Sequence, residues 1–179
     1  MRSGEYCIRN KLYLIMKTIL IPTDFSSQAF NCVSSLCAQL QGEELNIVFI
    51  HLFKLSDSIN DLLLLSRRSR EYEHVSDEFY QQCEEIKKVY KPVKAIKIEF
   101  FYGSTLSRFK NFIEANGIDF IVHPEDCSVS NLTKSSIDPS VLVDRCSVPL
   151  LRAQKEKLKD ALPDAFHRRN TPVLSEVSL

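Results

Sequence analysis

Residues 17–26 read KTILIPTDFS, and this stretch decides the fold. A compact apolar run from Lys17 to Thr23 is closed by Pro22 and followed by Asp24 and Ser26, the pattern of a buried strand feeding a helix. Ser26 is placed to cap that helix. Downstream, Phe30, Val33, Cys37 and Leu40 recur at three- and four-residue steps, which predicts an amphipathic helix over 28–40 that Gly42 stops. LNIVFIHLF, residues 45–53, is the second apolar run. Its near-continuous hydrophobicity suits a parallel strand covered on both faces.

The same alternation continues to the end of the folded part. Leu62–Leu65 reads as one turn of helix closing on the core. From Glu71 the spacing of Val75, Phe79, Gln82 and Ile86 predicts a helix that Pro92 ends. Residues 94–101 alternate Lys94, Lys97 and Glu99 with Ile96, Ile98 and Phe100, a half-exposed strand at a sheet edge. Gly103-Ser104 opens a helix striped by Leu106, Phe109, Phe112 and Ile113, and Asn116-Gly117 stops it. A fourth strand is expected over 118–123, and a serine-rich connection over 124–136. Asp138-Pro139 then reads as a cap and first residue of a helix reaching Arg145, before a fifth strand over 148–151. Strands and helices in strict alternation mean right-handed crossovers and a doubly wound, five-stranded parallel sheet, an α/β Rossmann-like sandwich. Ligands in such sheets sit beyond the carboxyl ends of the strands. Here Thr23-Asp24 and the loop after His123 should meet there.

The chain has 179 residues, with 23 basic and 23 acidic side chains in balance. Such a chain builds no long-range field for phosphate backbones or anionic lipid, which argues against nucleic acid or a membrane as partner. The six cysteines, Cys7, Cys32, Cys37, Cys83, Cys127 and Cys146, form no C-x-x-C pair and no metal-ligand spacing. They read as reduced, mostly buried small hydrophobes. No apolar run approaches the roughly 20 residues of a membrane span, and residues 1–15 carry no cleavable leader pattern. A cytoplasmic address follows. The expected organisation is an extension over 1–16, a domain over 17–153, and a charged, proline-interrupted tail over 154–179 that adds little to the core.

KTILIPTDFS is similar to the opening strand of universal stress proteins, which runs into a D-x-S turn. NIVFIHL resembles their second strand, YGSTLSRFKNFIEANGIDFIV their glycine-opened third helix and fourth strand, and SVPLL their closing strand. The resemblance spans Lys17 to about Arg152 and implies the adenine nucleotide alpha hydrolase-like fold with strand order 3-2-1-4-5. ATP-binding members carry a G-x-x-G-x9-G-[S/T] loop after the fourth strand. At the corresponding places this chain has His123, Asp126 and Ser136, with Ile137 at the Ser/Thr place, so all four positions depart from the pattern. Asp24, which the resemblance sets beside base and ribose, is retained. Its bland role is to brace the strand-to-helix turn.

His51, inside an apolar strand, reads as a core histidine. His123 beside Glu125 and Asp126 is the one place where acid–base chemistry or a metal could start, and a small hydrolase built on His123 and Asp126 is the least favoured reading. Arg67-Arg68-Ser69-Arg70 is a basic run, expected on a solvated helix face. The favoured expectation is a non-enzymatic stress-response or regulatory module without cofactor or metal, able to engage another protein. The alternative binds ATP through a reshaped loop, with Asp24 and hydroxyls from Ser128, Ser130, Thr133, Ser135 and Ser136 in place of backbone amides. A homodimer is expected through the apolar fifth strand, at Val148, Leu150 and Leu151.

Overall fold

The computed structural model describes residues 16–55 and 71–154. Leu62–Leu65, the 67–70 basic run, Cys7 and the tail beyond 154 lie outside the described residues. Five parallel strands form one sheet: β1 Met16–Pro22, β2 Glu44–Phe53, β3 Val93–Tyr102, β4 Phe120–Val122 and β5 Leu150–Leu151. Their order is β3-β2-β1-β4-β5, the one implied by the resemblance. β1 pairs with β2 along its whole length, from Met16 opposite Glu44 to Pro22 opposite Ile50, and with β4 at Ile19 and Leu20.

Alternation within the two central strands divides their side chains between the two faces of the sheet. Ile19, Ile21, Leu45, Ile47 and Phe49 enter one cluster, while Leu20, Val48, Ile50 and Leu52 enter the other. This is why both runs read as continuously apolar: each face has its own cover. The first face is covered by helices α1, Val33–Gln39, and α2, Asp77–Val89, through Leu36, Phe79 and Ile86. The second is covered by α3, Leu106–Ala115, and α4, Ser140–Val143, through Phe109, Ile113, Leu142 and Val143. Each fully buried Phe or Leu in these clusters contributes about 1.5–3 kcal/mol. Cys32 and Cys83 lie in the first cluster, where burial pushes both thiols up to about 12.

Several boundaries differ from the sequence-based expectations. The 28–40 segment opens as a 3-10 helix over Ser27–Cys32 and becomes α-helical only from Val33. Ser26 stands at its start, but its side chain makes no capping bond; it turns toward Ser128 instead. α2 begins at Asp77, where Ser76 accepts the Phe79 amide at 3.2 Å. Asp77 and Glu78 in the first turn and Lys87 and Lys88 in the last complement its dipole. β4 and β5 are shorter than their apolar runs. Gly117, at φ 58°, closes the α3 end in the left-handed conformation that a side chain disfavours.

Candidate functional site

The carboxyl ends of β1, β2 and β4 converge on three segments: the turn Thr23–Ser26, the end of β2 from His51 to Lys54, and the connection 123–139. Backbone bonds pin the long connection down on both sides. The Asp24 amide donates to the Ser128 carbonyl at 3.0 Å, Lys54 to Ser135 at 2.7 Å, and Ile137 to Leu52 at 2.9 Å. The serine-rich segment therefore lies across the strand ends.

Asp24 is the first of its two polar anchors. Its Oδ1 accepts the Ser26 amide at 3.0 Å, and its Oδ2 accepts the hydroxyls of Ser128 at 3.0 Å and Ser130 at 2.9 Å. The hydroxyl oxygens of Ser26 and Ser128 lie 3.0 Å apart, so the turn and the loop also meet through these two serines. Burial raises the Asp24 carboxyl, but the bonds from Ser26, Ser130 and Ser128 outweigh it and hold the group below its ordinary value. Asp24 is thus an ionised brace that joins the first turn to the loop.

His51 is the second anchor. It is 2% exposed, with Nδ1 2.6 Å from the Thr23 carbonyl and Nε2 2.9 Å from Ser136 Oγ. A carbonyl only accepts, so the ring proton resides on Nδ1, and neutral Nε2 accepts the Ser136 hydroxyl. Ser136 Oγ in turn accepts the amides of Leu132 and Thr133, each at 3.1 Å. Every polar atom in this relay has one consistent role. Burial holds the His51 pKa below its ordinary value despite the Thr23 carbonyl and the Asp24 charge.

Between the anchors sits Phe25, a buried residue at φ 56°. The left-handed conformation costs roughly 1–2 kcal/mol in a residue with a side chain. Its ring is held edge-on against Phe79 at 5.5 Å and Phe100 at 5.4 Å, and its amide donates to Thr23 Oγ1 at 2.9 Å. Burial of the ring offsets the strain.

The expected site residues fall into separate groups. Asp24 and Ser128 come together, joined by Ser130. Ser136 belongs to His51, and Ser135 bonds Thr133, hydroxyl to hydroxyl, at 2.7 Å. His51 and Thr23 are the pair missed as organisers of the site. The available signal was a polar ring inside an apolar strand, near the end where the loop must cross. His123 and Asp126 are not gathered into a reactive group: His123 Nδ1 accepts the Glu125 amide at 3.3 Å, whereas Asp126 Oδ2 accepts the Ala153 amide at 3.1 Å. The Asp126 carboxylate lies 3.8 Å from Arg152, so its charge is paired at the end of β5. Asp138 Oδ1 accepts the Ser140 amide at 2.9 Å just ahead of α4, but the N-cap is Pro139 rather than the expected Asp138, and the helix ends at Val143 rather than Arg145.

No family model matches the chain, and no curated protein sequence matches it. Solved structures do match. A universal stress protein UspA from Lactobacillus plantarum is 18% identical at a TM-score of 0.49, covering 77% of this chain and 97% of its own. A universal stress protein family member from Burkholderia pseudomallei is 17% identical at 0.43, covering 76% and 94%. One from Arabidopsis thaliana, solved with AMP bound, is 12% identical at 0.42, covering 83% and 97%. The solved structures that this chain resembles are mostly of the universal stress protein family, and the likeness is one of fold.

Proposed function

We propose that the chain is a universal stress protein-like, non-enzymatic regulatory module in which adenine nucleotide binding is weak or absent. The carrying observation is that the loop's hydroxyls are taken up by side chains at the ends of β1 and β2: Ser128 and Ser130 bond Asp24, and Ser136 bonds His51. A phosphate cradle works by bringing free donors close to the anion, and glycine permits the close approach. This segment has no glycine between 118 and 179, and Asp138 places a carboxylate at the helix start where a phosphate would sit. Releasing two internal bonds costs about 1–3 kcal/mol, and a carboxylate near phosphate adds repulsion. Affinity should fall by roughly a hundredfold or more.

The alternative, an ATP-binding module, draws on Thr133 and Ser135. Among the described residues these two hydroxyls bond one another and the neighbouring Ser135 amide, so an incoming phosphate displaces little there. The retained Asp24 points the same way. Isothermal titration with Mg·ATP separates the readings. A dissociation constant at or below about 10 μM overturns the first reading. Heats indistinguishable from dilution at millimolar nucleotide support it. The module is further proposed to be cytoplasmic and homodimeric, and to act through a protein partner rather than a cofactor.

A further inference from the structure

β3 is a ten-residue edge strand, and a cavity of about 460 Å³ wraps around its carboxyl half. Side chains from both faces of the strand line it. Tyr72 and Phe100 belong to the first face, with rings 5.0 Å apart and edge-on; Phe101 and Phe112 belong to the second, 5.7 Å apart. The opening therefore follows the sheet edge and crosses the backbone. Strand geometry settles which backbone groups point into it. The Gly103 amide donates inward to the Phe53 carbonyl of β2, so the odd-numbered residues preceding it face β2 and the even-numbered ones face outward. The Ile98 carbonyl does point outward, where the Tyr72 hydroxyl reaches it at 3.5 Å, a long bond that an incoming amide can replace.

One cation completes the site. Arg108, exposed in the first turn of α3, lines the cavity without an ion-pair partner among the described residues. Gly103 makes room for its stem: a Cβ there would lie 3.3 Å from the Arg108 Cδ. The acidic member of the lining, Glu99, lies on the Phe101 side.

We propose that this edge is a docking site for an extended segment of a partner protein. The segment adds as a sixth strand beside Ile98–Phe101, sets an apolar side chain against Tyr72 and Phe100, and places a carboxylate at Arg108 one residue later. Successive side chains of a strand point to opposite faces, as the two-sided lining requires. Main-chain bonds supply affinity in this mode, and the alternate grooves supply specificity. Glu99 restricts the acidic position to the Arg108 end.

The test uses the full chain and a fluorescein-labelled, acetylated and amidated peptide, Thr-Val-Thr-Phe-Asp-Val-Thr, read by fluorescence anisotropy. Saturable binding below about 1 mM is expected, weakened about tenfold or more by Arg108→Glu and restored when the peptide Asp is exchanged for Lys. N-methylation of the peptide's central amides should abolish binding, since it removes the ladder donors. No saturation at 1 mM, or binding insensitive to both Arg108→Glu and N-methylation, overturns the proposal. Self-association that Arg108→Glu abolishes would assign the edge to a second copy and also overturn it. Arg108 is exposed, so an unchanged melting curve will show that the variant is folded.

Discussion

His51 carries a proton on Nδ1 because the Thr23 carbonyl can only accept, and it stays neutral because burial disfavours the imidazolium. Its folded-state pKa lies below the ordinary value, so the unfolded chain takes up the proton first as the pH falls. Stability contributed by neutral His51 is complete above about pH 7.5, begins to fall through 6.5, and is lost progressively down to the folded-state pKa. Protonation also turns Nε2 into a donor, and the Ser136 hydroxyl must then find another acceptor. Asp24 opposes this effect and His74 adds to it. The expected outcome is a melting midpoint that declines from pH 7.5 to 5, with a shallower decline in His51→Gln. A Gln amide can donate to Thr23 and accept from Ser136 without titrating, at a fixed cost of about 1–2 kcal/mol. Identical slopes in the two proteins would exclude His51 as the source.

The connection 123–139 shows what sequence reasoning reached and what it did not. Its position over the strand ends followed from β-α alternation, and the Asp-Pro pair announced α4 to within a residue, the helix starting at Ser140 behind Pro139. The sheet was legible because β1 and β2 bury both faces, and a short run that is apolar at nearly every position suits little but a covered strand. The roles of the serines were not legible, because a hydroxyl carries no trace in sequence of which partner it meets. Ser136 bonds His51, 85 residues away, and Ser128 bonds Asp24 across 104. The short 3-10 opening of the first helix was hidden similarly, since Phe30 and Val33 suit either helical period. Two variants separate the anchors. Ser136→Ala removes the His51 donor and the acceptor of two amides, and should cost about 1–3 kcal/mol. It should also speed hydrogen exchange at Leu132 and Thr133. Ser128→Ala with Ser130→Ala should instead raise the Asp24 pKa toward its ordinary value and leave those two amides protected. Equal exchange changes in both variants would mean that the loop opens as one unit.

At the scale of the whole molecule, the two edges of the sheet are finished differently. β3 is long and flanked by aromatic grooves, with Lys94 paired to Glu44 at 3.4 Å. β5 is two residues long and pairs with β4 only at Ile121–Leu150 and Val122–Leu151. Backbone pairing of two such short strands across a two-fold axis supplies few bonds, so a dimer through β5 must draw on apolar side chains. Of the three residues expected there, Val148 and Leu151 are partly buried against the core clusters, and Leu150 remains 39% exposed. Val141 on α4, which covers the same face of the sheet as Val148, is 52% exposed. A stable interface needs roughly 800 Å² from each partner, and Leu150 with Val141 can form the centre of such a patch but not all of it. The chain should therefore dimerise at micromolar rather than nanomolar concentration. Light scattering of the full chain should move from monomer toward dimer mass up to about 100 μM. Leu150→Asp should hold it monomeric at all concentrations, because it buries an unpaired charge at the centre of the patch, yet it should barely change the melting midpoint of the monomer. A monomeric mass throughout removes β5 as an interface. A dimer that persists in Leu150→Asp places the contact elsewhere, and Arg108→Glu then tells whether the β3 edge supplies it.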